Sequence, residues 1–215
     1  MAGAGPVAEG GRAPTFPLAN AITLSRLAIL AATVGLLYSG QPALLWLALA
    51  LTIFNIVLDG VDGQVARRRG EVSPLGSVLD IAIDRVVENV YWVAFVGLGL
   101  IPVWIALVVV ARGILTDAVR GFALSKGDTA FGMMRSPLGH ALVSGRFMRG
   151  FYGLAKTVAF AAVIALYALE RSSIGAAAPA WLPAAQALVG AWVLLTVALT
   201  VVRGVPVLVE ARRYF

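Results

Sequence analysis

Residues 58–85 read LDGVDGQVARRRGEVSPLGSVLDIAIDR. The stretch sets four aspartates, Asp59, Asp62, Asp80 and Asp84, into two segments that are otherwise apolar enough to cross a membrane. The rest of the chain sharpens the contrast. Of its 215 residues 60% are hydrophobic and 13% charged, against roughly 45–50% and about 25% in ordinary soluble domains. Mean hydropathy is +0.90. This is the composition of an integral membrane protein. At about 20 apolar residues per crossing, the chain holds one bundle of helices and little else.

Working outward from the aspartates, apolar runs predict six transmembrane helices at about 20–38, 43–66, 75–98, 101–124, 151–170 and 183–209, an all-α fold punctuated by Gly and Pro. Residues 18–215 form a single domain in this reading. The Gly-, Ala- and Pro-rich residues 1–17 form a flexible tail, with no apolar core and cleavage site of a signal peptide. Arg12, the ARRRG turn, the 121–150 connection and the terminal ARRYF carry nearly all the loop charge. Placing both termini in the cytoplasm puts these basic loops on one side and leaves Arg171 outside. The same rule accounts for the net charge of +6, so nucleic acid is not an expected partner. Compact form and the absence of a targeting segment point to the inner membrane of a bacterium.

With no cysteine and a single histidine, His140, a metal here must be bound by oxygen. On a helix Asp59 and Asp62 stand at i, i+3 and Asp80 and Asp84 at i, i+4, so each pair projects from one face. At about 1.5 Å per residue, Asp59 lies roughly 10 Å from the end of its helix, and Asp80 and Asp84 about 8 and 14 Å from the start of theirs. The pairs can meet at similar depth. Four carboxylates in a low-dielectric setting cannot all stay ionised without a compensating cation, and four suffice for two divalent ions suited to phosphoryl transfer. The alternative, structural salt bridges to Arg67, Arg68, Arg69 and Arg85, would leave four costly intramembrane acids without a function. Gly63 and Gly76 stand one turn from Asp59 and Asp80 and admit a ligand to the backbone. Arg67, at the cytoplasmic end, sits where a diphosphate needs a counter-charge.

Written out, the pattern is Asp59-x2-Asp62-Gly63-x2-Ala66-Arg67-x8-Gly76-x3-Asp80-x3-Asp84. It resembles the signature of the CDP-alcohol phosphotransferase family, with every fixed position met, and the NAITLSR opening with Asn20 and Arg26 is similar to that family's first-helix entry. The resemblance implies a six-helix bundle, commonly a homodimer, that exchanges the CMP of a CDP-linked donor such as CDP-diacylglycerol for an alcohol. It further implies two Mg²⁺ or Mn²⁺ ions on Asp59, Asp62, Asp80 and Asp84, with Asp62 bridging and Asp84 also taking the acceptor's proton. Gly63, Ala66, Arg67 and Gly76 would line the CDP site, which faces the cytoplasm.

The acceptor is less legible. Arg112, Arg120, Arg146, Arg149 and Lys156 fall on or near the cytoplasmic halves of helices four and five, where a phosphorylated alcohol needs cations. Arg112 lies near mid-membrane at almost the depth of Glu88, which predicts a buried Glu88–Arg112 pair. GLAKTV at 153–158 and the helix-four arginine resemble phosphatidylglycerophosphate synthases, favouring glycerol 3-phosphate. Arg85 after the last aspartate and Gly113 after Arg112 depart from that branch, and the Asp84–Arg85 pairing looks more like the inositol-phosphate branch. Serine and a second lipid, phosphatidylglycerol, stand behind these. Two other classes remain as rivals: an intramembrane prenyltransferase with paired Asp-rich motifs, and a cation- or proton-coupled carrier, against which the lack of an internal repeat speaks.

Overall fold

The computed structural model describes residues 18–70, 74–127, 133–173 and 179–214. The tail 1–17 and residues 128–132 of the long connection lie outside the described residues, as does the side chain of Ala66. Six long helices are present: α1 Leu18–Ser39, α2 Pro42–Arg69, α3 Pro74–Gly97, α4 Val103–Ser125, α6 Arg146–Ser172 and α7 Leu182–Glu210. Between α4 and α6 lie a short helix α5, Pro137–Gly139, and a π-helical turn, His140–Ser144. No strand occurs among the described residues.

The boundaries follow the expected runs within three residues, except that α6 begins at Arg146 instead of 151. The turns explain this. Gly40, Gly70, Gly99 and Gly127 follow α1, α2, α3 and α4 with positive φ, the conformation in which glycine ends a helix without strain. Gly150, by contrast, sits inside α6, where its helix-breaking tendency is overridden.

Helices α1, α2, α6 and the segment Leu182–Tyr214 are long and apolar enough to cross a membrane. Helices α3 and α4 have comparable lengths of 24 and 23 residues, but carry Asp80, Asp84, Arg85 and Glu88, and Arg112, Asp117 and Arg120, within them. The core is apolar, but charged groups are buried within the bundle and large apolar side chains face outward. Arg26 and Glu88 are each only 3% exposed, whereas Val78 and Leu107 are each 63% exposed. That pattern suits a lipid surround, in which charges turn inward and apolar side chains outward.

Tyr91, Trp92, Phe95 and Phe160 pack as tilted and edge-to-face rings joining α3 to α6. Buried hydroxyls are satisfied within the bundle: Thr33 and Thr52 donate to the carbonyls four residues earlier, and the Tyr91 hydroxyl lies 3.0 Å from that of Thr52. Helix α1 packs on α2 and α3, α2 on α6, and α7 on α4 and α6. Charged groups of α1, α2 and α3 meet at Arg26, and those of α3, α4 and α6 meet at Arg85 and Glu88.

The connection after α4 packs onto the end of α7. Met133, Met134 and Val143 are buried against Ala123 and Val207, and Glu210 accepts hydrogen bonds from the backbone N–H of Arg135 and the hydroxyl of Ser136.

Candidate active site

The aspartates converge as their spacing predicts. One carboxylate oxygen from each of Asp59, Asp80 and Asp84 lies within 4.8 Å of the others, so α2 and α3 do bring the two motifs to one depth. Their side chains are 39%, 49% and 46% exposed, whereas that of Asp62 is 4% exposed. Three carboxylates therefore form an open cluster and the fourth stands behind it. Asp62 accepts a hydrogen bond from the Thr23 hydroxyl (2.9 Å) and one from the backbone N–H of Gly63 (2.6 Å).

A guanidinium sits at the centre. Arg26 Nη1 lies 2.5 Å from Asp59, and 3.9 Å from both Asp62 and Asp80. Its Nη2 donates to Asp84 at 2.8 Å and its Nε to Asn55 at 3.2 Å. Asn55 in turn donates to the Arg26 backbone carbonyl at 3.1 Å, which fixes α1 against α2 at this level. The salt bridges considered from sequence thus exist with a different partner: Arg26 engages the aspartates, while Arg85 turns to Glu88 and Asp117. Sequence reasoning had noted Arg26 but gave it no role, and overlooked Thr23 and Asn55. The available signal was an arginine inside an apolar helix, which requires an internal counter-charge.

The residues fit a divalent cation. They offer three exposed, convergent carboxylates, and Asp80 Oδ1 is buried without a hydrogen-bond partner. An all-oxygen donor set suits Mg²⁺, Mn²⁺ or Ca²⁺. Gly63 and Arg67 are neighbours, since a β-carbon at 63 would stand 3.5 Å from the Arg67 guanidinium. Gly76 is half-buried in the first turn of α3.

A cavity of about 370 Å³ opens beside the aspartates between α2, α3 and α6, with Arg26, Asp59, Asp84, Glu88, Lys156 and Thr157 in its wall. Glu88, 3% exposed, does not pair with Arg112 as expected. It instead accepts from Arg85 (2.8 Å) and the Tyr152 hydroxyl (3.0 Å), with Lys156 Nζ at 3.3 Å. Arg112 misses it because its side chain turns to α7, where its stem lies against the bare Cα of Gly204.

Of the five cations expected to hold the acceptor, Lys156 lines the cavity with Asp84, while Arg112, Arg120 and Arg149 lie within reach of the charge of Arg203, which sequence reasoning missed. Arg203 is 7% exposed, stacks on the Tyr152 ring at 5.0 Å and interacts with the charges of Arg112, Arg120 and Arg149. Arg112 Nε, Arg120 Nε, and Arg203 Nε and Nη1 are buried without a hydrogen-bond partner. Arg146 and Arg149 lie in the first turn of α6 and are exposed. A second, larger cavity of about 580 Å³, formed by the first turns of α4 and α7 and the last turns of α6, has a mainly apolar lining. It is remote from these charges.

The profile of the CDP-alcohol phosphatidyltransferase family matches residues 16–202. An archaetidylinositol phosphate synthase of Aeropyrum pernix is 36% identical over 90 residues, covering 40% of this chain and 46% of that protein. A provisionally named cardiolipin synthase of Mycobacterium tuberculosis is 32% identical over 146 residues, 68% of this chain and 66% of its own length. A CMP-forming cardiolipin synthase of Streptomyces coelicolor is 32% identical over 115 residues, 47% of each chain. The chain thus spans about half to two-thirds of the length of these relatives. With its aspartate motif assembled across α2 and α3 and the family profile covering most of its length, the chain belongs to the CDP-alcohol phosphatidyltransferase family.

Proposed function

We propose that the protein transfers the phosphatidyl group of CDP-diacylglycerol to the hydroxyl of an alcohol that itself carries a phosphate, releasing CMP. All six long helices span the inner membrane, both termini face the cytoplasm, and the site opens on that side. The observation that carries the acceptor class is the group of Arg112, Arg120 and Arg203, whose buried nitrogens have no protein hydrogen-bond partner. Arg120 also has Asp117 at 3.8 Å, but buried N–H groups left without an acceptor are costly, and a phosphate dianion supplies the missing acceptors.

Asp59, Asp80 and Asp84, with Asp62 beside them, would hold two divalent cations, which when bound supply charge stabilisation to the diphosphate and to departing CMP. The chain's own groups do the rest. Arg67 and the bare backbone at Gly63 and Gly76, together with Ala66, receive the cytidine diphosphate. Arg26 keeps the like-charged carboxylates together. Asp84 borders the 370 Å³ cavity and accepts the proton of the acceptor hydroxyl there as the new phosphate ester forms. The acceptor oxygen bonds to the phosphorus that carries the lipid, and the bond from that phosphorus to the bridging oxygen breaks, so CMP leaves with the bridging oxygen and the electron pair. Catalysis of this kind is chiefly positioning and charge compensation.

Among phosphorylated alcohols, the GLAKTV segment favours glycerol 3-phosphate. Arg85 directly after Asp84 in the sequence, and the naming of one relative for inositol phosphate chemistry, favour inositol phosphate. The deciding experiment is CMP release by purified protein with CDP-diacylglycerol and Mg²⁺ or Mn²⁺, comparing glycerol 3-phosphate, inositol 1-phosphate, inositol, serine and phosphatidylglycerol, with Asp84→Asn as control. Release with a phosphomonoester acceptor and none with inositol or serine is expected. Release with serine or free inositol would overturn the phosphate reading, and cation transport without CMP release would overturn the enzyme.

A further inference from the structure

We infer that Glu88 is a positioning residue that steers the acceptor's phosphate to Arg112, Arg120 and Arg203 by keeping Lys156, on the wall beside Asp84, from binding it. This rests on the proposed phosphorylated acceptor and adds a device that selects its orientation.

The buried and half-buried cations of α3, α4, α6 and α7 fall into two sets, and of them Lys156 lines the cavity. Each nitrogen of Arg85 is engaged: its Nε and Nη2 reach Asp117 at 2.5 and 3.2 Å, and its Nη1 reaches Glu88 at 2.8 Å. Lys156 Nζ stands 3.3 Å from the same Glu88 carboxylate. Arg112, Arg120 and Arg203 form the other set and keep buried, unpartnered nitrogens. Glu88 is the only carboxylate bridging Arg85 and Lys156 among the ion pairs of the described residues.

The position of Lys156 makes this pairing consequential. Lys156 lines the same cavity as Asp59 and Asp84. An uncompensated ammonium there would attract the acceptor's dianion to the carboxylates that need its hydroxyl. Such a pose puts the phosphate where the reacting oxygen belongs, and the acceptor binds without reacting. Glu88 prevents this by supplying the counter-charge in advance. Its bond from the Tyr152 hydroxyl (3.0 Å), and the stacking of Arg203 on the Tyr152 ring (5.0 Å), tie the neutralised pair to the cationic cluster. One side chain therefore sets which cations are available and helps place one of them.

The test is equilibrium binding of inorganic phosphate to the full chain in detergent by calorimetry, beside steady-state kinetics. Glu88→Gln frees Lys156. It is expected to bind phosphate about tenfold or more tightly than wild type, the scale of one charge-assisted hydrogen bond. The acceptor KM should fall or stay level while kcat drops, the signature of unproductive binding. Lys156→Met in the Glu88→Gln background returns phosphate affinity to the wild-type value, and Glu88→Asp preserves it.

A Glu88→Gln protein, folded by its thermal melt, that binds phosphate as wild type does would overturn the inference. Where Glu88→Gln does not fold, Lys156→Met alone decides. It should leave phosphate affinity within twofold of wild type, and a loss of the site would show that Lys156 binds the anion itself. The underlying acceptor reading fails separately, by Arg203→Met leaving phosphate binding and acceptor KM unchanged.

Discussion

Arg26 Nη1 stands 2.5 Å from Asp59 Oδ1, a buried cation from α1 set against an aspartate of the motif on α2. The contact places the aspartate motif under the control of a residue more than thirty positions away. It also means that the carboxylates retain a resident counter-charge when no ion is bound. Removing it should make their stability depend on metal.

Arg26→Ala is expected to lower the unfolding midpoint by about 5 °C or more in EDTA, the effect of breaking a buried, partly solvated charge pair. The loss should shrink with saturating Mn²⁺ or Mg²⁺, because an ion bound to the folded state stabilises it. Melting curves with and without metal check this. Equal losses in both would argue against ion binding at the aspartates.

The open and hidden aspartates should separate by phenotype. Asp84→Asn removes a 46% exposed charge from a like-charged cluster and should cut CMP release about 100-fold or more while leaving the melting temperature near that of wild type. Asp62→Asn alters a buried side chain held by Thr23 and the Gly63 N–H and should lower stability as well as activity. Parallel assays of CMP release and thermal unfolding test the contrast.

Arg203→Met retains the apolar stem and deletes the charge. It should raise the acceptor KM about tenfold or more, the cost of losing a charge-assisted hydrogen bond, and leave the KM for CDP-diacylglycerol within about twofold. Steady-state titration of each substrate measures it.

Gly204→Ala should act at a distance through Arg112. A β-carbon at 204 would stand 2.9 Å from Arg112 Cγ and Nε, and the arginine must move from its place between α4 and α7. The expected result is a raised acceptor KM with an unchanged donor KM. A variant indistinguishable from wild type in both would place Arg112 outside the acceptor site.

The sequence by itself determined what depends on local spacing. Apolar runs broken by glycine gave the six helices, and the i, i+3 and i, i+4 aspartates could meet only if α2 and α3 brought them to one level, as they do with α1 packed on both. Positions 59–84 carried the family because the aspartates of one motif lie on consecutive helices.

Only the tertiary structure decided which charge meets which. Depth along a helix can be counted from sequence, and it led to an expected Glu88–Arg112 pair that the packed bundle does not form. Rotation about the helix axis cannot be counted in this way, because it is set by packing against several neighbours. It turned Arg112 toward Gly204 and left Glu88 to Arg85, Tyr152 and Lys156. For the same reason Arg26, Thr23, Asn55 and Arg203 joined the site only once α1 and α7 were packed onto the bundle.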